Sequence, residues 1–224
     1  IEAFIGSPYA KGKDDKHTAK LERSDYLQRT AVKAMQGLSS TAASDDKKYI
    51  RKFAKGTAEI QETLEHLQPH INYTCDDKGN GELFADVFNS VARFNVTANE
   101  WFVYDGRVWV KDMGGMHVSR MAKQLKDELL MFSVSIENET QKTAYQKHIL
   151  KMGSRAVRET MVKDARDKYC ISNEDIDKDL DLLNLQNGTL NLKTFEFREH
   201  RATDLISKIA NVSYNPAARS ELWQ

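Results

Sequence analysis

The sequence predicts an α+β fold that is mostly helical, carries two or more short β-hairpins, and is preceded by a small helical segment. Leucines alternate with polar residues on both sides of Asn187-Gly188, which is the period of a half-buried strand. A second run of strand-forming residues surrounds Asp105-Gly106, and both dipeptides suit a tight hairpin turn. Elsewhere, apolar residues recur at helical spacing behind residues that commonly cap helices.

The length and the charge balance limit what the chain can be. Its 224 residues suffice for a substantial core, and only three prolines and eleven glycines argue against a long disordered tail. No apolar run is long enough to span a bilayer, so we expect a soluble protein with no membrane partner. Lys and Arg total 33, as do Asp and Glu, so any contact with DNA must come from a local patch.

The first residue and the cysteines predict the setting of the protein. The chain begins at Ile1 without a signal-peptide pattern, and we expect it to be a piece of a longer protein. Cys75 and Cys170 form no CxxC motif, and two cysteines in a chain of this size are better interpreted as reduced thiols than as a disulfide framework. We therefore expect a protein of the host cell cytoplasm.

The start of the chain predicts an arm without a nucleotide site. Residues 1–22 are polar and glycine-containing, as expected of a linker or arm. Gly6 and Gly12-Lys13 are separated by five residues instead of the four of a phosphate-binding loop, and Asp14 would place a negative charge beside the phosphate. We therefore expect no ATP site of this type in this chain.

Residues 23–75 predict a helical segment. The expected short helices cover Ser24–Leu38, Ser44–Lys55 and Thr57–Gln68. His66 and His70 could contact one metal ion from a single helix face. Pro69 between them should end the helix, and no further ligand completes the set, so we favour a structural role for both.

The main predicted domain covers residues 81–216. A polar joint over 76–81 is expected to separate it from the helical segment, and a helix with one apolar face follows from Leu83. Gly114-Gly115 breaks the chain after the first hairpin, before an amphipathic helix over Val118–Phe132. The outward residues of that helix are Arg120, Lys123 and Lys126.

The most basic part of the chain is Lys142–Lys168, which carries eight Lys or Arg against three acidic residues. If this segment were one helix, several of its cations would share a face and could follow nucleic-acid phosphates without recognising sequence. The predicted DNA-binding residues are Lys147, Lys151, Arg155, Arg158 and Lys163. Two alternatives stay open: a solvated helix face, and two shorter helices that meet at Gly153-Ser154.

An acidic run, Glu174–Asp181, places five acids against one lysine. Grouped carboxylates can bind a divalent metal or act as acid and base. No known ligand spacing is present, so we favour the N-terminus of a helix, which a capping box between Ser172 and Asp175 would begin.

The C-terminal part of the chain predicts a hairpin, a helix and a strand. In the hairpin, the alternation predicts that the leucines lie on the buried face, with Asn184 and Thr189 on the other. Thr203–Ala210 then favours a short helix, and Val212 and Tyr214 indicate a last strand.

Several of these stretches together resemble one known family. NGTLNLKT, EFREH and ISKIANVSYNP lie within Leu183–Pro216, and LFADVF near Leu83, WFVYDGRVWV near Trp101 and KHILKMGSRAVRETMVKDARD from Lys147 precede them in the family's order. The chain resembles the domain that precedes the superfamily-three helicase domain in phage and plasmid primase-helicases and in the poxvirus primase-helicase. The resemblance covers Gly81–Ala217 and leaves the first eighty residues unexplained.

The resemblance implies a non-catalytic domain of a DNA replication protein, without a cofactor or metal of its own. The parent would be an ATP-dependent helicase that binds ATP and magnesium, with a primase or polymerase module upstream. The domain would couple that module to the helicase ring, assist homo-oligomer assembly and guide single-stranded or duplex DNA, and residues 217–224 would start the connection to the helicase domain. Phe195 departs from the family, which more often has a turn-forming glycine there. A protein-interaction scaffold without DNA contact is the alternative.

Overall fold

The computed structural model describes residues 55–218, which belong to one compact unit. The predicted arm over residues 1–22 and the helix predicted over Ser24–Leu38 lie outside the described residues, as do almost all of Ser44–Lys55 and of the connection over 217–224. Within 55–218 the chain forms six α-helices and two three-stranded sheets. The predicted α+β fold, mostly helical, is confirmed.

The helices account for most of the regular structure in this part of the chain. In order, α1 to α6 cover Thr57–Leu67, Pro69–Asn72, Asp77–Phe88, Met116–Phe132, Glu139–Lys151 and Arg155–Asp164. The helix predicted over Thr57–Gln68 is confirmed, and it ends because Gln68 adopts a left-handed conformation with φ of 47°. The helix predicted over Val118–Phe132 is also confirmed and begins at Met116.

The strands form two antiparallel sheets. In order, β1 to β6 cover Ala92–Asn95, Glu100–Tyr104, Trp109–Lys111, Leu182–Leu185, Gly188–Asn191 and Phe197–Arg198. Within each sheet the neighbouring strands are consecutive in the chain, β1-β2-β3 and β4-β5-β6. Both predicted hairpins are confirmed, as β2-β3 and β4-β5, and each gains a third strand that the sequence did not predict.

One apolar core joins the helices to the first sheet. The apolar faces predicted for α3 and α4 lie in this core, together with side chains from α1, α5 and α6. The core includes Ile60 and Leu64 of α1, Leu83, Phe84, Val87 and Phe88 of α3, Val118, Leu125 and Leu129 of α4, Ile149 of α5 and Met161 of α6. Because α1 shares this core, it packs as part of the same unit as the helices that follow it.

The polar joint predicted over 76–81 is wrong. Asp76 caps α3, where its Oδ1 accepts the backbone N–H of Gly79 at 2.8 Å, and residues 79–81 are buried within the helix. Gly81 faces α6, and a Cβ atom there would lie 2.6 Å from Cβ of Asp164. This glycine permits close packing of two helices rather than a flexible boundary.

The second hairpin buries residues of both faces, whereas the alternation predicts burial of the leucines alone. Leu185 is buried as predicted, at 4% exposed, but Asn184 and Thr189 are equally buried at 4% and 1%, and Leu183 is 38% exposed. The Nδ2 of Asn184 donates to the carbonyls of Arg107 and Lys208 at 2.9 and 3.1 Å, and its Oδ1 accepts from the Thr189 hydroxyl at 3.2 Å. A polar side chain is stable inside a protein when its hydrogen bonds are satisfied in this way.

The turn of this hairpin lies one residue earlier than predicted. The strand register leaves Gln186 and Asn187 in the two central positions, with Gly188 already in β5. Gly188 is required there because a Cβ atom would lie 2.5 Å from the carbonyl oxygen of Arg198 and 2.6 Å from the ring of Phe197. The glycine therefore allows β6 to approach, instead of forming the turn.

The helix predicted over Thr203–Ala210 is wrong. One 3-10 turn, Ala202–Asp204, forms there, and Leu205 follows it in a left-handed conformation with φ of 50°. A right-handed helix cannot continue through a residue in the left-handed conformation, so the turn ends at Leu205. Both guanidinium Nη atoms of Arg198 donate to the carboxylate of Asp204 at 2.9 Å and hold the turn against β6.

Val212 and Tyr214 do not form the predicted strand. The N–H of Gln186 donates to the carbonyl of Val212 at 2.9 Å. The side chain of Asn187 donates to the carbonyl of Tyr214 at 3.0 Å and accepts its N–H at 2.8 Å. The segment is thus held beside the hairpin turn mainly by side-chain contacts, which do not repeat as a strand ladder does.

The capping box predicted at Ser172 closes a turn and starts no helix. The N–H and the hydroxyl of Ser172 both donate to Oδ2 of Asp175 at 2.8 Å. Asp177 then adopts a left-handed conformation with φ of 56°, and its carboxylate accepts the N–H and hydroxyl of Ser207 at 2.7 and 2.6 Å. The helix start that we favoured for the acidic run is therefore wrong.

Candidate nucleic-acid interface

The predicted DNA-binding residues lie on two helices instead of one. Those on α5 are Lys147 and Lys151, and those on α6 are Arg155, Arg158 and Lys163. Between the helices the chain turns at Gly153-Ser154, where Ser154 is extended with φ of −68° and ψ of 138°. Two shorter helices, one of the alternatives left open by the sequence, are confirmed. The predicted stripe is therefore divided into two parts.

A groove of about 600 Å³ lies between α4 and α6, and we call it the basic groove. Its cations are Arg120 and Lys123 of α4, Arg155, Arg158 and Lys163 of α6, and Arg166 just after α6. Of the described residues that line it, one, Glu159, is acidic. The structure thus brings three of the five predicted residues together with three further cations.

One of the six cations is neutralised within the groove. The Nε of Arg155 lies 2.7 Å from Oε1 of Glu159, one helical turn away. This hydrogen bond and the attraction between the charges raise the pKa of Arg155 and lower the pKa of Glu159, so both stay charged. No ion pair within residues 55–218 engages the cations Arg120, Lys123 and Lys163.

Arg158 has a structural task as well as a place in the groove. Its Nη1 donates to the carbonyl oxygens of Met152 and Gly153 at 2.8 and 2.6 Å. These carbonyls follow the last turn of α5, where no further backbone N–H of the helix is present to donate to them. Arg158 therefore fixes the angle between α5 and α6 with some of the donors that could otherwise meet a phosphate.

The N-terminus of α4 is already capped. Gly114-Gly115 precedes it with φ of 70° and 66°, which confirms the predicted break in the chain. The buried carboxylate of Asp112 then accepts the backbone N–H groups of His117 and Val118 at 3.0 and 2.9 Å. Since a carboxylate occupies these amides, the positive charge of the groove comes from its side chains.

Trp101 and Arg166 both contact the ring of Phe94. The Trp101 ring meets Phe94 edge-on at 5.6 Å between centroids, and the Arg166 guanidinium lies 4.7 Å above the same Phe94 ring. Both residues line the basic groove. The indole Nε1 of Trp101 and the Nε of Arg166 are buried and have no hydrogen-bond partner within the described chain.

Lys147 and Lys151 are exposed but lie outside the lining of the basic groove. Lys151 lies near His148, whose pKa is lowered by burial and, to a smaller extent, by the charge of this lysine. The Nε2 of His148 is 2.8 Å from Oδ1 of Asn80, which joins α5 to α3. These two lysines therefore belong to a separate exposed face.

Sequence reasoning missed the contribution of α4. The sequence predicts Arg120 and Lys123 only as the outward face of an amphipathic helix, and Arg166 only as one of the basic residues of Lys142–Lys168. The available signal was that α4 and α6 each carry exposed cations opposite an apolar face. Spacing along the chain could not show that the two helices meet.

The two histidines considered as metal ligands lie on different helices, His66 on α1 and His70 on α2. The ring of His70 packs against Phe132 and Tyr145, with centroids 5.7 and 6.2 Å away. Between residues 55 and 218, no group of three or more His, Cys, Asp or Glu is placed to hold a metal ion. In the same range, no helix is both long and apolar enough to cross a membrane.

The described chain is thus a mostly helical α+β domain with a basic groove on its surface. Residues 81–224 match the family described as D5 N terminal like, over nearly two thirds of the chain. The chain therefore belongs to this family, the N-terminal domain of phage and viral primase-helicases. The match begins at Gly81, where the predicted domain also begins. Among curated proteins, none matches the chain.

Family membership assigns the chain to the N-terminal region of a primase-helicase, and hence to DNA replication. The family is a non-catalytic one. The resemblance identified from the sequence is thereby confirmed, including the family to which it pointed.

Proposed function

We propose that this domain holds a nucleic-acid backbone in the basic groove and guides the strand within a primase-helicase. The observation that carries the proposal is charge, since six cations face one carboxylate among the described lining residues. The whole chain has no net charge, so this is a local concentration of positive charge. Cations that neutralise phosphates release condensed counterions, which favours binding and makes it sensitive to salt.

The groove suits a phosphate backbone better than stacked bases. Trp101 is its aromatic lining residue and is only 7% exposed, because Phe84 and Phe94 contact it edge-on. Proteins that stack bases need an accessible aromatic face. We therefore infer that recognition rests on phosphate contacts, which position a strand without recognising its sequence.

In the whole protein, the domain would couple an upstream primase or polymerase module to the helicase ring and assist assembly of a homo-oligomer. The helicase domain would bind ATP and magnesium and supply the hydrolytic activity, in the cytoplasm of the host cell. Membership of the D5 N terminal like family supports these roles. The groove adds to them a place for the strand that passes between the two enzymes.

Fluorescence anisotropy with labelled single-stranded and duplex oligonucleotides over a salt series tests the proposal. The variant Arg120→Gln/Lys123→Gln/Lys163→Gln removes three of the six groove cations. It keeps Arg166, the ion-paired Arg155, and Arg158, which donates to backbone carbonyls. Each lost phosphate contact should reduce the slope of log affinity against log salt by about 0.7 for a single strand, so the slope should fall by about 2.

A matched control changes the same net charge elsewhere. The variant Lys178→Gln/Lys193→Gln/Lys208→Gln alters three lysines outside the groove lining. Screening limits the reach of surface charges to about 8 Å at physiological salt, so the control should keep most of the slope. Equal losses in the two variants, or no binding by the unaltered chain at low salt, would contradict the proposal.

A second candidate function, assembly through the second hairpin, rests on exposed apolar residues. Leu180, Leu183, Leu192 and Phe195 are exposed within or beside β4 and β5. Apolar residues grouped on a surface often mark a contact with another protein. Native mass spectrometry of the unaltered chain and of Leu183→Lys/Leu192→Lys tests this. An oligomer that the variant abolishes supports assembly here, and a monomer in both contradicts it.

A further inference from the structure

We infer that the indole N–H of Trp101, with Arg166 beside it, binds one phosphate of the nucleic-acid strand at the floor of the basic groove. The inference rests on the proposed function and names the donor that would fix one phosphate. Trp101 is 7% exposed and lines the groove, and its Nε1 is closed to solvent without an acceptor within residues 55–218. A phosphate would therefore reach this N–H by displacing the side chains that cover it. An indole nitrogen can only donate, and a buried donor without an acceptor destabilises the folded state.

Trp109 provides an internal comparison in the same domain. It is 1% exposed, and its Nε1 donates to the carbonyl oxygen of Ala202 at 2.8 Å. The fold therefore supplies an acceptor for the buried indole that lies outside the groove lining, and leaves the indole at the groove without one. An anionic oxygen in the groove would complete the hydrogen bonding of Trp101.

Arg166 supplies a second donor at the same place. Its guanidinium packs on Phe94, which also contacts Trp101. Its Nε is buried without a hydrogen-bond partner in the described residues. A neutral N–H and a guanidinium N–H that share one aromatic neighbour suit a ligand with two acceptor oxygens and a negative charge, as in a phosphodiester.

The remaining cations of the groove favour a nucleic-acid strand over a free phosphate ion as the source of the phosphate. A free phosphate ion would need only the floor of the groove, whereas Arg120, Lys123 and Lys163 extend the positive charge along both walls. Cations spread along a groove suit a chain of phosphates. We therefore assign the site to one phosphodiester of a strand whose neighbouring phosphates meet the wall residues.

Indole resonances in an NMR titration of the 224-residue chain test the site. The chain has three tryptophans, and Trp101→Phe identifies the resonance of interest. Addition of a single-stranded oligonucleotide should move the Trp101 indole proton downfield, as expected for a new hydrogen bond, and leave that of Trp109 in place. No movement would overturn the inference. An equal response to inorganic phosphate at matched ionic strength would overturn the assignment to a strand.

The substitution Trp101→Phe keeps an aromatic ring and removes the N–H. Oligonucleotide affinity should fall about tenfold, because the lost bond is to a charged group, while the salt slope stays unchanged. The melting temperature of the free protein should fall less than it does for Trp109→Phe, since both substitutions lose buried packing but only Trp109→Phe also breaks an indole hydrogen bond. The matched control Trp109→Phe should lower the melting temperature and leave affinity intact.

The outcomes separate this inference from the proposed function. If the unaltered chain binds with a steep salt slope and Trp101→Phe binds equally well, the inference is overturned and the groove proposal stands. If the unaltered chain does not bind at low salt, both are overturned. A melting temperature for Trp101→Phe that falls as far as that of Trp109→Phe, with unchanged affinity, would show a purely structural role for the indole.

Discussion

The Nη1 of Arg158 lies 2.8 Å from the carbonyl oxygen of Met152, the residue that follows α5. A residue that the sequence predicts to bind DNA is thus used to satisfy the end of a neighbouring helix. A cation is favoured at a helix C-terminus because the helix dipole leaves partial negative charge on the last carbonyls. This contact also sets the direction of α6, and with it the position of one wall of the basic groove.

We expect Arg158→Gln to lower the free energy of unfolding by about 1–2 kcal/mol, since two hydrogen bonds from a charged group are lost at a partly exposed site. Urea denaturation measures the change. Arg155→Gln, at an exposed residue of the same helix, should leave stability unchanged. Similar losses in the two variants would contradict the capping role of Arg158.

Exchange of polar and apolar residues on β4 tests the burial of Asn184 in the second hairpin. Asn184→Leu should destabilise by about 2–5 kcal/mol, because the groups around Asn184 would be left buried without partners. Leu183→Asn, at a partly exposed position, should change stability by less than about 1 kcal/mol. The reverse order of the two effects in thermal unfolding would contradict the structural role of Asn184.

Gly81→Ala tests the close packing of α3 on α6. Alanine favours a helix over glycine by about 1 kcal/mol, yet its Cβ would meet the backbone and Cβ of Asp164. We expect a net destabilisation of about 1–3 kcal/mol from overpacking. Lys78→Ala, at an exposed position of α3, is the control and should be nearly neutral. A stabilising effect of Gly81→Ala would show that the helices can separate without cost.

Asp86 makes the free energy of unfolding depend on pH in the acid range. Its carboxylate accepts hydrogen bonds from Lys168, Tyr73 and Tyr169 at 2.7, 2.6 and 2.8 Å. Burial alone would raise the pKa of Asp86, but these bonds outweigh it and hold the pKa below the ordinary 3.8. A carboxyl group with a lowered pKa in the folded state stabilises the fold above the unfolded value, and this contribution is lost as the pH falls through the folded pKa.

We therefore expect Asp86→Asn to be less stable than the unaltered chain at about pH 6, with the difference narrowing as the pH falls below about 3.8. Urea denaturation at several pH values measures it. The control Asp127→Asn, at an exposed residue, should have little effect at about pH 6. A difference for Asp86→Asn that is constant over this range would contradict the account.

Local signals in the sequence predicted the elements of the described chain well. Gly106, Gly114 and Gly115 all have positive φ where turns or a break were expected, and the apolar spacing of α4 defines its buried face. Phe195, which departs from the family's glycine, is 75% exposed with φ of 58°, a conformation that glycine adopts more easily. Such features depend on a residue and its near neighbours.

The features that the sequence did not predict depend on partners far along the chain. Asn184 is buried because the carbonyl of Arg107, 77 positions earlier, accepts its N–H. The sequence predicts a polar joint that ends at Gly81, because no residue near Gly81 in the chain indicates that Asp164 packs against it. In the same way the basic groove exists only once α4 and α6 meet, so the sequence predicted three of its six cations and grouped them with Lys147 and Lys151 of another face.

The central claim is that phosphates bind in the basic groove, and the salt dependence of oligonucleotide affinity for two matched pair variants tests it most directly. Arg120→Gln/Lys123→Gln removes two cations of the groove, and Lys147→Gln/Lys151→Gln removes two from the separate face of α5. For a single strand, the groove pair should lower the slope of log affinity against log salt by about 1.4, and the α5 pair should keep the original slope. A lowered slope in the α5 pair with an unchanged slope in the groove pair would contradict the account.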